Sequence, residues 1–160
     1  MVIMKDTWQQ ALGKMTYGIY VLTASYQDEI NGMVASWVSQ VSFDPPLVMV
    51  AIHPSRYSNR LVTQSGCFAL HVLSKNQKDF LTRFKGPDPA AKFSSVQWKK
   101  GKTGCPIIED CIAYLECKVK DSCNPGNHTI FIGEVVHAQF ISDKTPLNSA
   151  DYKGVYFGKS

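Results

Sequence analysis

The sequence predicts a mainly β fold, an antiparallel barrel or sandwich with two or three short helices at its periphery. Three observations predict it. About six segments of strand length are rich in β-branched and aromatic residues and end in turn-prone clusters. Helical patterns are short and fill only some of the connections, which argues against a doubly wound sheet. The segment CIAYLECKVK, residues 111–120, alternates apolar and polar positions, as a strand with one face on a core does.

In chain order, residues 6–15, DTWQQALGKM, start with the cap-type Asp6 and carry helix formers up to Gly13, so a short helix is expected. TYGIYVLTAS, 16–25, reads as a strand running into the turn QDEING. NGMVASWVSQVSFDPP, 31–46, places Ser36, Ser39 and Ser42 at steps of three and stops at Pro45-Pro46. The double proline supplies no N–H and should end the pairing of a strand at 32–42. LVMVAI, 47–52, is a continuous apolar run, expected to be buried on both faces.

SNRLVTQSG, 58–66, has a cap-type Ser58 and a stop-type Gly66 and predicts a helix of two turns, after which CFALHVL, 67–73, returns to strand character. Ser74-x-x-Gln77 forms a capping box ahead of a helix whose Phe80, Leu81 and Phe84 share one face, the clearest helical pattern in the chain. Residues 85–106 hold three prolines, three glycines and lysines at 85, 92, 99, 100 and 102 without a sustained period. They read as a long excursion of the kind that serves as a lid. In 111–120, Ala113, Leu115, Cys117 and Val119 should face inward and Tyr114, Glu116, Lys118 and Lys120 outward. A second long strand is expected over 128–141 and a last edge at 155–157.

A length of 160 residues with 44% hydrophobic content fills one core, so residues 1–160 are expected to form one domain. A net charge of +4, with no basic run beyond Lys99-Lys100 and Lys102, is too mild for a nucleic-acid footprint. No apolar run reaches the roughly 18 to 20 residues of a membrane span, and MVIMKDTW has no secretion-signal pattern, so the expected compartment is the cytoplasm. Cys67, Cys105, Cys111, Cys117 and Cys123 lack redox-pair or zinc-ribbon spacing and read as free thiols, the last four at steps of six that would share a strand face. His53, His71, His128 and His137 are scattered, and no metal site is predicted. His71 and His137 read as structural residues, whereas His128, after a Pro-Gly-Asn turn, suits either a structural or a functional role. Gly101-Lys102-Thr103 resembles a phosphate-loop tail, but Val96 stands where that motif needs glycine. Asn127-His128-Thr129 is a glycosylation sequon of no consequence without export. Hydrolase, zincin and dinucleotide-fold fingerprints do not occur.

Taken together, TYGIYVLTA, NGMVASWVSQVSFDPPLVMVAI, SGCFALHVL, TGCPIIEDCIAYLECKV and GNHTIFIGEVV resemble the flavin reductase-like domain family, the FMN-binding split barrels. The similarity runs from about Thr16 to Phe157 and is closest to small archaeal ferric reductases and to flavin reductase modules of rubredoxin- and flavodiiron-linked proteins. It implies a six-stranded antiparallel split barrel of Greek-key type and a homodimer with flavin sites near the subunit interface. The implied cofactor is FMN, with FAD as the other option, reduced by NADH or NADPH. Electrons would pass to a ferric complex, free flavin or a redox protein such as rubredoxin. It also admits a carrier module without nicotinamide activity and a reductase that supplies free reduced flavin to a monooxygenase. A pyridoxamine-phosphate-oxidase-type barrel is disfavoured by the 37–46 pattern and the G-N-H-T turn.

Residue by residue, the resemblance implies that Ala35, Ser36, Trp37, Val38, Ser39 and Gln40 line the isoalloxazine and phosphate region. Ala51, Ile52 and the turn His53-Pro54-Ser55-Arg56 would follow the next strand edge to the ribityl phosphate, with Ser58 and Asn59 at the start of the short helix. A helix start, serine hydroxyls and a bidentate guanidinium suit an anion. Trp37 would stack near the ring or pack at the dimer seam. His128 matches the histidine of the family's turn motif and is assigned to nicotinamide positioning with proton delivery. Asn127 stands where the family often carries Asp, and Ser58 where many relatives carry Thr. The lysines of 85–106 either bind a nucleotide phosphate or are solvated.

Overall fold

The computed structural model describes residues 2–152. The elements, in order, are α1 (Val2–Leu12), β1 (Tyr20–Tyr26), β2 (Glu29–Ala35), β3 (Val38–Ser42), β4 (Leu47–Ile52), α2 (Tyr57–Ser65), β5 (Cys67–Val72), α3 (Asp79–Arg83), α4 (Pro89–Ser94), β6 (Trp98–Lys100), β7 (Pro106–Ile108), β8 (Ala113–Cys123), β9 (Thr129–Phe140) and a 3-10 turn at Ser149–Asp151. The edge strand expected at 155–157 lies outside the described residues. No helix among the described residues is long and apolar enough to cross a membrane.

Seven strands form one antiparallel sheet in the order β2-β1-β5-β8-β9-β4-β3. The single strand expected at 32–42 is in fact two. The run breaks at Ser36-Trp37, and its halves occupy opposite edges of the sheet. Because β2 and β3 are joined by only those two residues, the sheet must curl until its edges meet there. Six predicted strands thereby become seven, and the chain at 36–37 is the seam of the barrel.

Leu22 and Ala24 of β1, Val48, Val50 and Ile52 of β4, Phe68 and Leu70 of β5, Cys117 and Phe131 fill the interior, and Leu61 and Val62 of α2 plug one end. LVMVAI is not buried on both faces. Val48, Val50 and Ile52 point into the core while Leu47, Met49 and Ala51 are only half-buried, because β4 lies beside the edge strand β3.

α2 stops at Gly66, whose φ of 69° is the left-handed cap conformation and whose N–H bonds to the Val62 carbonyl at 2.8 Å. Its start differs from expectation. Arg56 is the N-cap residue, with no side-chain cap, and Ser58 is buried inside the first turn. α1 begins and ends earlier than the predicted 6–15. The helix expected after Ser74 shrinks to the single turn α3. Its Phe80, Leu81 and Phe84 are buried as predicted, and half of the capping box forms, the Ser74 N–H donating to Gln77 Oε1 at 2.8 Å.

The 85–106 excursion is not a free lid. It contains α4 and most of the β6–β7 hairpin, and it covers the outer face of β1, β5 and β8. Thr23 Oγ1 donates to the Pro106 carbonyl at 2.6 Å and Ser25 Oγ to that of Gly104 at 2.9 Å. Tyr114 and Glu116, expected to face solvent, are buried beneath this cover, whereas Lys118 and Lys120 are exposed as predicted. Register shifts after Glu116 and Val119 break the alternation of β8 against β9. The same shifts undo the common face expected of the cysteines, leaving Cys117 buried and Cys123 exposed.

The described cysteines are free thiols. Burial pushes Cys105 and Cys111 up to about 11 and Cys117 to about 12, so they are protonated and unreactive at neutral pH. His71 is structural, as expected: Nδ1 meets the Val21 carbonyl at 3.0 Å and the Ile108 N–H donates to Nε2 at 3.1 Å.

Candidate functional site

A cavity of about 840 Å³ opens beside the seam, within the size range of small-molecule and cofactor sites. Ala35, Ser36 and Trp37 at the seam, Ala51 at the end of β4, and His53, Ser55, Arg56 and Tyr57 leading into α2 line one part of it. Lys14, Thr16 and Tyr17 after α1, Lys85 to Pro87, Lys92 of α4, and Ser149, Ala150 and Tyr152 line further parts.

Of the sequence-predicted residues, the structure therefore brings Ala35, Ser36, Trp37, Ala51, Ser55 and Arg56 together. The others stand behind or away from the cavity. Val38 packs on the barrel core and Ile52 lies within it. Asn59 is buried and ties α2 to the end of β4, its Nδ2 donating to the Ile52 carbonyl at 3.0 Å. Ser58 Oγ accepts from Asn31 Nδ2 at 3.0 Å deep in the structure. Ser39 and Gln40 are exposed on the edge strand and bond locally, to the carbonyls of Gln40 and Ser42.

His128 is buried at the start of β9, outside the lining. Its ring lies 4.7 Å from that of Trp37 and 5.2 Å from that of His53, both of which do line the cavity. His53 is thus the imidazole nearest the cavity. The Ser55 N–H donates to its Nδ1 at 3.2 Å and the Ser55 hydroxyl is 2.8 Å from the same nitrogen, a pattern that leaves the proton on Nε2.

Asn127 Oδ1 sits 2.8 Å from His128 Nδ1, which donates to it. Burial first, then the charges of His53 and Arg56, holds His128 below the usual histidine range. An amide at 127 orients the ring without adding charge. Asn127→Asp is expected to raise the His128 midpoint by roughly one pH unit in an NMR titration, and a midpoint that stays or falls would contradict this geometry.

The electrostatics of the cavity are one-sided. Among the described residues, Lys14, Arg56, Lys85 and Lys92 line it and no carboxylate does. Glu29 is tied to the Tyr57 hydroxyl at 2.7 Å and to Arg60 at 2.5 Å. Among the described residues, Arg56 Nε is buried without a hydrogen-bond partner and Arg56 forms no ion pair. An orphaned guanidinium nitrogen at an uncapped helix start is what a phosphate group would satisfy. The phosphate of a flavin nucleotide fits this donor set, and the apolar wall of Met33, Ala35, Trp37 and Ala51 suits a flavin ring system.

Sequence reasoning placed His53 in the turn toward the phosphate, and missed Asn31, Tyr57 and the residues after α1 and near Tyr152. Of the lysines in 85–106, Lys85 and Lys92 line the cavity and Lys99, Lys100 and Lys102 are exposed. Lys85 lies over the Tyr152 ring, 4.4 Å from its centroid, and bonds to its hydroxyl.

Comparison with known proteins agrees with this geometry. Residues 12–158 match the flavin reductase like domain. The chain is 32% identical over 155 residues to the ferric-chelate reductase (NAD(P)H) of Archaeoglobus fulgidus, covering 94% of this chain and 92% of that one. It is also 32% identical over 153 residues to the high molecular weight rubredoxin of Moorella thermoacetica, covering 93% of this chain and 67% of that one. Among solved structures, the Streptomyces globisporus NADH:FAD oxidoreductase in complex with NAD and FAD fragments superposes with a TM-score of 0.82 at 28% identity, over 90% of this chain and 87% of that one. With a split-barrel sheet, a cationic cavity at its seam and a family match across nearly its whole length, this chain belongs to the flavin reductase like domain family.

Proposed function

We propose that the protein is an NAD(P)H-dependent flavin reductase, acting as a single domain, that holds FMN in the seam cavity and passes electrons to a small acceptor. The observation that carries this reading is Arg56 Nε, buried and without a hydrogen-bond partner among the described residues, in a cavity whose described lining holds four cationic side chains and no acid. The relatives named above, a ferric-chelate reductase using NAD(P)H and an oxidoreductase bound to NAD and FAD fragments, support the same chemistry.

Arg56, the Ser55 hydroxyl and the first turn of α2 would hold the flavin phosphate, and the seam residues Ala35, Ser36 and Trp37 would exclude water from one side of the ring. Bound flavin supplies the hydride and single-electron chemistry, so the chain has to orient its reactants more than it has to act as acid or base. His128 acts through the Trp37 and His53 rings that it supports, as a positioning residue. His128→Ala is expected to slow flavin reduction about tenfold or more with FMN affinity changed less than threefold, read by stopped-flow absorbance against equilibrium titration. A parallel loss of affinity would make it a structural residue.

A second copy of the chain would cover Val41 of β3, Phe43 just after it and the outer end of β9, where Phe43 is 89% and Phe140 73% exposed. This supports a homodimer. The rubredoxin relative supports a small redox protein among the acceptors.

Steady-state oxidation of NADH and of NADPH by purified protein supplied with FMN tests the reading. Turnover with either nucleotide supports it. A yellow protein that oxidises neither, yet is reduced by a partner redox protein, would be the carrier instead. A colourless protein saturable by added FMN would be the type that hands flavin to a monooxygenase.

A further inference from the structure

The four histidines differ in whether their surroundings let them change charge. His71 has a carbonyl on one ring nitrogen and an amide N–H on the other, a pattern that only the neutral ring satisfies. His128 is buried, held low and outside the cavity lining. His137 is half-buried against Tyr114, ring centroids 5.9 Å apart, and is also outside the lining. Of the four, His53 alone lines the cavity.

Its hydrogen-bond partner is of a different kind too. Nδ1 accepts from the Ser55 N–H at 3.2 Å and lies 2.8 Å from the Ser55 hydroxyl, which donates to the neutral ring. A hydroxyl is both donor and acceptor, and it can turn. When the ring takes a second proton, Nδ1–H donates to Ser55 Oγ, and the hydroxyl proton and the Ser55 N–H are both released. Ser55 lines the cavity, so the released donors are available to an anion there. Protonation of His53 and the seating of an anion at Ser55 therefore favour each other, and the coupling is reciprocal. The charged and titratable groups about the ring are His128 of β9 and Arg56 of its own turn, whose positive charges and that of His53 oppose one another. No carboxylate among the described lining residues offsets them.

The place of His53 along the cavity suits proton delivery. Two residues before it stands Ala51, in the apolar wall that suits a flavin ring, and two residues after it stands Ser55. The ring packs edge-on against His128 at 5.2 Å, and His128 meets Trp37 of the same wall at 4.7 Å. His53 Nε2 has no hydrogen-bond partner among the described residues.

We propose that His53 is the proton donor of the reduction, charged as the cofactor's phosphate engages Ser55 and discharged from Nε2 as hydride arrives. Hydride transfer moves two electrons and one proton. One nicotinamide hydride donor, one flavin and one further proton give the oxidised nucleotide and the reduced flavin. The His53 imidazolium supplies that further proton, returns to the neutral ring and regains a proton from solvent, which reaches it past the exposed Pro54 and Ser55. The inference rests on the flavin reading and deepens it, adding an acid to a site in which His128 positions.

Two measurements test it. By NMR, the His53 ring signals of wild type should titrate at higher pH with FMN or inorganic phosphate bound than without, and Ser55→Ala should lose most of that displacement. By stopped flow, reduction of bound FMN by NADH or NADPH should slow as pH rises through the His53 titration. His53→Gln keeps a donor but cannot carry the charge, and it should reduce FMN about 100-fold more slowly and without that pH dependence. Added imidazole should restore His53→Ala in part, and His128→Ala should keep the pH dependence at its own lower rate.

A His53 titration unmoved by FMN and by phosphate overturns the proposal, as does a His53→Gln variant that reduces FMN at the wild-type rate. A pH dependence lost in His128→Ala but kept in His53→Gln would make His128 the donor instead. Each of these leaves the flavin reading intact. If wild type oxidises neither nucleotide yet phosphate still moves the His53 titration, the flavin reading fails and takes the donor role with it, while the coupling through Ser55 stands. Should His53→Gln bind no FMN, the wild-type titration and the imidazole rescue decide.

Discussion

Replacing Glu116 by alanine is expected to destabilise the protein by about 3 kcal/mol or more, a fall in Tm of roughly 10 °C for a chain of this size. The side chain is 1% exposed and accepts from the Thr103 N–H at 2.8 Å, the Thr103 hydroxyl at 2.7 Å and the Lys102 N–H at 3.2 Å. Burial works against the charged carboxylate, but these donors and the nearby His137 outweigh it and hold the group below its usual range. Alanine would remove the acceptor of the Lys102 and Thr103 N–H groups and leave a void under the β6–β7 hairpin. Glu116→Gln keeps the volume but turns a donor toward the Lys102 N–H, so it should recover only part of the loss. Urea unfolding of the three proteins is the check. A Glu116→Ala variant within 1 kcal/mol of wild type would mean that the hairpin is not held through this carboxylate.

The second large effect is in acid. Burial holds His71 at about 4 against an ordinary 6.5, and both ring nitrogens are already used by a neutral imidazole. Protonation would set a new N–H against that of Ile108. Below pH 6.5 the unfolded chain takes up a proton at this histidine and the folded chain does not, so stability falls with pH until about 4 and this contribution then levels off. The interval of 2.5 pH units corresponds to about 3 kcal/mol. His128, also held low, adds in the same direction. The lowered carboxyls Glu116 and Asp151 lose their contributions in more acid solution, below the ordinary carboxylate range. Urea unfolding between pH 7 and pH 4 should therefore show the slope, and His71→Gln, which cannot titrate, should flatten most of it. An unchanged slope in that variant would place the acid sensitivity elsewhere.

What the sequence disclosed, and what it hid, follows from the range of the forces involved. Strand runs such as 47–52 and 67–73 and the stop at Gly66 are local, set by side-chain shape and by a left-handed backbone position, and they stand where the pattern put them. The break at Ser36-Trp37 was not legible, because nothing local distinguishes one long strand from two at opposite edges of a curled sheet. Tyr114 and Glu116 read as outward positions because their cover comes from residues 97–108, across the fold. Half of the residues that the family resemblance implied for a flavin site, Arg56 among them, line one cavity. Ser58 does not, since it is turned inward by Asn31. Lys92 looked like one lysine among five in an aperiodic stretch, and only its burial against Asn31 and Gly32 sets it apart.

The most direct test of the central claim is the visible spectrum of the protein loaded with FMN and freed of excess, recorded without oxygen before and after addition of NADH and then NADPH. The structure predicts that at least one nucleotide bleaches the yellow absorbance of the bound flavin and that air restores it. A bound flavin that stays oxidised with both nucleotides would contradict the assignment of this cavity to nicotinamide-driven flavin reduction.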